Sequence, residues 1–266
     1  MIEVIILSVL QGVAEFLPIS SSGHLVLGKS LLELGDTGIR LDVFLHVGTL
    51  VAVFAFYRTI VWRLVRGFFS GGEAARESWT YALKIVLSAV PAGLVGVLFK
   101  SQLETAFSTP KTVGAALVFT GVVLTVTRLL PKGKEDVSFV RAILMGIAQA
   151  VAILPGVSRS GMTLVAARAS KVDAEKAAEF SFLMSAPPIA GAALLEVLEA
   201  LKSTADVAAA PQVGWGLCAF GAVLAAVVGY YSLKFLLKSL KSDWFWLFGP
   251  YALLAGAVTI LACRTV

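Results

Sequence analysis

At 266 residues the chain has room for one or two soluble domains, but its composition excludes them. Hydrophobic residues make up 58% and charged residues 15%, whereas soluble domains carry about 25% charged residues. The net charge of +5 is spread over short loops and not gathered on one face, so it argues against a nucleic-acid partner and reads as membrane topology.

The chain opens on an apolar arm, Ile2–Leu17, with no positively charged leader or small-residue cleavage site, so a cleavable signal peptide is not expected. Its 16 residues end at Pro18. As a helix it would reach only ~24 Å, short of the ~30 Å of hydrocarbon. A polar turn follows, Ile19-Ser20-Ser21-Ser22-Gly23-His24. Proline removes a backbone donor, and broken backbone survives at membrane depth only inside protein or beside a wet cavity. This segment is therefore predicted to be a re-entrant hairpin. Three spans of sufficient length are predicted next, at Leu41–Ile60, Tyr81–Phe99 and Thr112–Leu130.

A second short arm, Phe139–Leu154, meets Pro155 and the turn Gly156-Val157-Ser158-Arg159-Ser160-Gly161. Three more spans are predicted after it, at Ala178–Leu198, Val213–Leu236 and Phe245–Ala262, with Pro187-Pro188 marking a kink in the first. Cys218 and Cys263 lie in apolar spans without metal or redox spacing and read as small core residues. Trp62, Trp244 and Trp246 sit near span ends, as interfacial anchors do.

The two arms resemble each other. LQGVAEFLPISSSG and AQAVAILPGVSRSG match at Gln11/Gln149, Val13/Val151, Ala14/Ala152, Leu17/Leu154, Pro18/Pro155, Ser20/Ser158, Ser22/Ser160 and Gly23/Gly161, with one gap and one shift. Three spans between them place the arms on opposite sides of the membrane. The expected fold is all-α: one polytopic domain, residues 1–266, of six transmembrane helices plus two re-entrant helical hairpins. They form an inverted-topology repeat of halves at about 1–131 and 137–266, whose polar tips meet near mid-depth. If the first hairpin enters from outside, inner loops hold fourteen Lys and Arg against six in outer segments. That bias favours both termini outside.

Chemistry concentrates in the two turns. Gln11 and Glu15 are one helical turn apart and share a face. A carboxylate at mid-depth costs about 2.5–3.5 kcal/mol, so a metal-ligand or proton-acceptor role is expected, against the plainer reading of a wetted hairpin mouth. Ser20, Ser21, Ser22 and Gly23 suit phosphate oxygens, although serines also cap helices. His24 offers a nucleophile or a base. Arg159 matches phosphate bidentately, or forms a structural pair with Glu15. Ser158, Ser160 and Gly161 would add hydroxyls and an amide. His46, alone on an apolar helix, reads as a hydrogen-bonded packing residue. Together the turns fit phosphoryl transfer, with or without an oxygen-ligated magnesium or calcium ion.

QGVAEFLPISSSGH and PGVSRSG closely resemble the two signature segments of the bacterial undecaprenyl-diphosphate phosphatases, the bacitracin-resistance family, and the likeness extends over the whole chain. The family's (E/Q)xxxE falls on Gln11 and Glu15, its SS-x-GH on Ser20, Ser21, Gly23 and His24, and its PGxSRSG on Pro155 through Gly161. Gln11 leaves one carboxylate fewer than the variant with two. The resemblance implies removal of the terminal phosphate from undecaprenyl diphosphate, recycling the peptidoglycan carrier lipid with help from a divalent cation, Mg2+ or Ca2+. It implies a bacterial plasma-membrane protein whose site opens to the periplasmic side.

On this reading Ser21 or His24 attacks the phosphorus and the other moves the proton. Arg159, Ser158 and Ser160 hold the diphosphate, and Gln11 and Glu15 take the metal. The unrelated lipid phosphatases need a second histidine after an SR motif, and no histidine follows His46. The implied partners are a polyprenyl diphosphate and the bilayer, with a homodimer left open. The rival function is a transporter or flippase for a phosphorylated polyprenyl lipid; a purely structural scaffold leaves the polar turns unexplained.

Overall fold

The computed structural model describes residues 1–31, 39–107, 109–191, 193–194, 213–242 and 244–262. Among them the secondary structure is helical apart from one isolated parallel bridge between Glu135 and Val172.

Helix α1 (Ile2–Ala14) buries Val4, Leu7, Ser8, Gln11 and Gly12, a stripe at three- and four-residue spacing, and leaves Ile2, Ile6 and Val9 facing out. Its continuation past Pro18 is α2 (Ser21–Leu31). The same design recurs in α8 (Phe139–Val151), which buries Ala142, Met145, Gly146 and Gln149, and α9 (Arg159–Ala169). At 13 residues each, α1 and α8 reach only ~20 Å.

Four stretches are long and apolar enough to cross a bilayer: α5 (Gly72–Leu98), α7 (Pro110–Val126) with its 3-10 extension to Leu129, α11 (Trp215–Lys241), and α12 (Phe248–Ala262) with the 3-10 turn before it. Only 11% of the apolar window of α5 is buried, so most of that helix offers its side chains to lipid. Two of these helices are longer than the sequence predicted: α5 begins nine residues before Tyr81 and α11 runs on to Lys241.

Two predicted spans take another form. Leu41–Ile60 is not one rod: α3 (Ile39–Phe56) ends, and at Tyr57 the chain bends by 79° into α4 (Arg58–Phe68). Arg58, Arg63 and Arg66 lie on α4, and continuing straight would carry them against the membrane's apolar cost. Ala178–Leu198 is likewise interrupted. Helix α10 (Ala174–Met184) stops at Ser185, and residues 186–191 resume as helix with Pro187 and Pro188 near the start, where missing N–H groups cost nothing. The last four residues of that predicted span, 195–198, lie outside the described residues, as does Cys263. A short helix not foreseen, α6 (Lys100–Phe107), links α5 to α7.

Packing is reciprocal. Helix α1 lies on α11 and α8 lies on α5, while α7 pairs closely with α12. Small residues make these approaches possible: a Cβ on Gly12 would meet the Val228 Cβ at 2.8 Å. The larger core cluster gathers Phe16, Phe180, Phe182, Met145 and Leu233 around the turns, and a second one joins Leu7, Leu25, Leu45 and Cys218.

Charged side chains collect at two ends. At one, Arg141 reaches the carbonyls of Ser170 and Asp136, Lys176 pairs with Asp136, Lys241 pairs with Glu175, and Arg128 stacks on Trp246. Here Lys176, hydrogen-bonded to the exposed Asp136, holds its carboxyl below the ordinary value. Elsewhere Lys29 pairs with Asp42 at 2.6 Å and Arg40 stacks on Trp215.

Candidate active site

Each polar turn is held by the same local device. Ser20 Oγ accepts from the Gly23 amide at 3.3 Å, and Ser158 Oγ accepts from the Gly161 amide at 3.1 Å. These are N-caps of α2 and α9, and in each the next serine lies beside the cap: Ser20 Oγ and Ser22 Oγ are 3.3 Å apart, as are Ser158 Oγ and Ser160 Oγ. The sharp reversals need left-handed backbone, at Ser20 (φ 72°) in the first turn and Gly156 (φ 94°) in the second. Thr120 of α7 pins the second turn, donating to the Gly156 carbonyl at 3.0 Å and accepting from the Ser158 amide at 3.1 Å.

The turns touch. Gly23 lies against Gly156, where an added Cβ would come within 3.1 Å of its Cα. Ser160 Oγ donates to the Leu17 carbonyl at 3.3 Å. Across this contact Arg159 Nη2 donates to Glu15 Oε1 at 2.6 Å, a pair whose side chains are 17% and 8% exposed. The second carboxylate oxygen accepts from Ser21 Oγ at 2.7 Å and from Gln11 Nε2 at 3.2 Å. The guanidinium also lies over the fully buried Phe182 ring, 5.5 Å from its centroid, and Phe16 braces that ring. Two atoms in this network are buried with no partner among the described residues: Arg159 Nη1 and Gln11 Oε1. Leaving such groups bare costs about 1–3 kcal/mol each, so they mark where a ligand is wanted.

Beside the network lies a cavity of about 330 Å³. Its polar wall comprises Glu15, Ser20, Ser21, Ser22, His46, Ser158, Arg159 and Ser160; its apolar wall includes Val43, Ile153, Val157, Pro188 and Ile189. The sequence-predicted residues Gln11, Glu15, Ser20, Ser21, Ser22, Ser158, Arg159 and Ser160 thus gather on or beside it, with Gly23 and Gly161 fixing the caps.

His24 does not line this cavity. Its Nδ1 lies 2.9 Å from the Ser20 carbonyl, which can only accept, so Nδ1 carries the hydrogen. Nε2 then accepts from the Tyr251 hydroxyl at 2.8 Å, and the two rings stack. Both nitrogens are engaged. The residues that sequence reasoning missed are Tyr251, Thr120 and Phe182, which come from distant helices and carry no motif, and His46, whose apolar surroundings in sequence concealed its place on the cavity wall.

The donors bear on whether a hard cation fits. Among the described residues no three His, Cys, Asp or Glu side chains come together as a metal cluster. Gln11 Oε1 is nonetheless a bare buried oxygen beside the Glu15 carboxylate, and oxygens are what magnesium and calcium take. Two protein oxygens alone would leave most of the coordination sphere of such a cation to be filled from outside the protein.

The chain matches the family model for the bacitracin resistance protein BacA over residues 4–258. It belongs to that family. A curated relative from Desulfatibacillum aliphaticivorans, named undecaprenyl-diphosphatase, is 38% identical over 98% of both chains. Relatives of the same name from Halothermothrix orenii and Moorella thermoacetica are each 38% identical, over 97% of this chain and 96% of theirs. Both polar turns lie within the matched residues.

Proposed function

We propose that this chain is an undecaprenyl-diphosphate phosphatase that works in the cavity between the two polar turns. It removes the terminal phosphate of undecaprenyl diphosphate, giving undecaprenyl phosphate and inorganic phosphate and recycling the cell-wall carrier lipid. The protein is a multi-pass membrane enzyme. The observation that carries the site assignment is the Arg159–Glu15–Ser21 chain, with one buried guanidinium nitrogen left bare beside the cavity among the described residues.

In the proposed mechanism Arg159 Nη1 takes an oxygen of the terminal phosphate, while Nη2 keeps Glu15 in place. Ser21 Oγ, already hydrogen-bonded to Glu15 Oε2, attacks the terminal phosphorus in line as the carboxylate accepts its proton. The bridging P–O bond breaks and undecaprenyl phosphate departs with that bond's electron pair. Water then attacks the phosphoserine: Glu15 hands the first proton back to the serine oxygen as the P–O bond to serine breaks, takes the water's proton in its place, and gives that proton up as inorganic phosphate leaves. The amides and hydroxyls at the N-termini of α2 and α9 support the phosphate oxygens. Ile153, Val157, Pro188 and Ile189 give the first isoprenes an apolar wall. His24 supports this arrangement from behind by bracing the Ser20 turn against α12.

A bound magnesium or calcium ion would neutralise phosphate charge there, held by Glu15 and Gln11 Oε1. Because Arg159 already balances Glu15, the protein's own set carries no net negative charge, and the cation is expected to enter together with the anionic lipid.

The finer topology is six spans and two re-entrant hairpins in two inverted halves. It is supported by the matched caps of the two turns and by the reciprocal packing of α1 on α11 and α8 on α5. The basic end formed by Arg128, Arg141, Lys176 and Lys241 supports a cytoplasmic placement for that end, and a site opening outward in the plasma membrane. Transport without cleavage is not favoured, since the curated relatives bear a hydrolase's name. The decisive experiment follows phosphate release from undecaprenyl diphosphate presented at the outer face of sealed, oriented vesicles. Loss with chelator and with Arg159→Ala is expected. Full activity in the variant would remove the site, and release only from the inner face would reverse the orientation.

A further inference from the structure

One imidazole in the cavity has no part in the mechanism above. His46 lies on α3, one turn beyond Asp42, and its Nδ1 is 2.8 Å from the Asp42 carbonyl. A carbonyl only accepts, so Nδ1 carries a hydrogen and Nε2 is the atom left for another partner. The residue is partly buried and lines the same cavity as Glu15, Ser21 and Arg159. The other histidine, His24, has both nitrogens engaged and faces Tyr251 instead.

We propose that His46 is a substrate-contacting residue whose Nε2 hydrogen-bonds an oxygen of the terminal phosphate, sharing that group with the bare Nη1 of Arg159. With Nδ1–H held by the Asp42 carbonyl, Nε2 is the ring nitrogen that can meet a phosphate oxygen in the cavity. The role is recognition, not proton transfer: the leaving group is already a phosphate and departs without one. The inference rests on the reading of this cavity as the phosphatase site.

Three substitutions separate this role from a structural one. The amide nitrogen of glutamine stands near the place of imidazole Nε2, and that of asparagine near Nδ1. His46→Gln therefore keeps a donor facing the cavity, while His46→Asn keeps only the bond to Asp42. With undecaprenyl diphosphate as substrate in detergent, His46→Ala is expected to raise KM about ten- to hundredfold, the worth of one charge-assisted hydrogen bond. His46→Gln should restore KM to within about threefold, and His46→Asn should resemble alanine. An unchanged KM in the alanine variant overturns the proposal, as does rescue by asparagine or equal loss in all three. Arg159→Lys is assayed alongside: if it keeps full activity the site itself is misplaced, whereas its loss beside an unaffected His46→Ala sinks only this inference.

Discussion

Replacing Arg159 by lysine tests the central arrangement most sharply. The guanidinium holds Glu15 through Nη2 at 2.6 Å and leaves Nη1 bare and buried. Lysine keeps the charge but offers a single nitrogen on a flexible stem, so it can serve the carboxylate or the phosphate and not both. The missing contact is one charge-assisted hydrogen bond, ~1.5–3 kcal/mol, or about 10- to 150-fold in kcat/KM. Removing the cation altogether is worse for the fold. With Arg159→Met, the Glu15 carboxylate stays at 8% exposure without its counter-charge, a loss of about 3 kcal/mol or more of stability. Adding Glu15→Gln should recover most of that loss, because both charges are then gone. The assays are phosphate release from undecaprenyl diphosphate by the native protein and Arg159→Lys, and thermal unfolding of the native protein, Arg159→Met, Glu15→Gln and the double variant in one detergent. If Arg159→Lys keeps more than half of kcat/KM, or if the stability losses of Arg159→Met and Glu15→Gln simply add, the shared guanidinium does not do what is argued here.

Ser21→Ala should lower kcat by at least about a hundredfold, since both nucleophile and base-acceptor bond go. Acid quenching with substrate labelled in its terminal phosphate should trap label on the native protein and none on the variant. Gln11→Glu adds the second carboxylate and should lower the magnesium or calcium concentration giving half-maximal activity by about tenfold; an unchanged cation requirement would place the ion elsewhere. Tyr251→Phe removes the hydroxyl that donates to His24 Nε2 while keeping the stacked ring, and should cost about 0.5–1 kcal/mol of stability at this half-exposed position. Activity should fall only modestly, within about fivefold; a collapse to the level of Ser21→Ala would return His24 to the chemistry itself.

Much of the fold was legible because its causes are local. Proline ends each 16-residue apolar arm as a short helix, and the repeated Ser-x-Ser-Gly turns cap the helices that follow through atoms three residues apart. Glu15 and Arg159 could be named because charge inside an apolar run needs a reason within the membrane. The bend at Tyr57 escaped notice since hydropathy continues through it and only the arginines of α4 hint at a change of direction. The early end of α10 at Ser185 was hidden in the same way, behind two prolines that read as a kink.

The chain's own order of residues determined that it lives in the bilayer, that two polar turns interrupt it, and which side chains those turns carry. Which of them face one another was decided only in three dimensions. His24 and Tyr251 are 227 positions apart, Arg159 and Glu15 144. Helix propensity, caps and proline breaks act over three or four residues. Partnership between a ring and a hydroxyl, or a guanidinium and a carboxylate, depends on the close packing of helices on glycine, which brings distant groups within 3 Å. That is why His24, beside the serines in sequence, turned its ring to Tyr251, and why His46, remote from every motif, came to line the cavity.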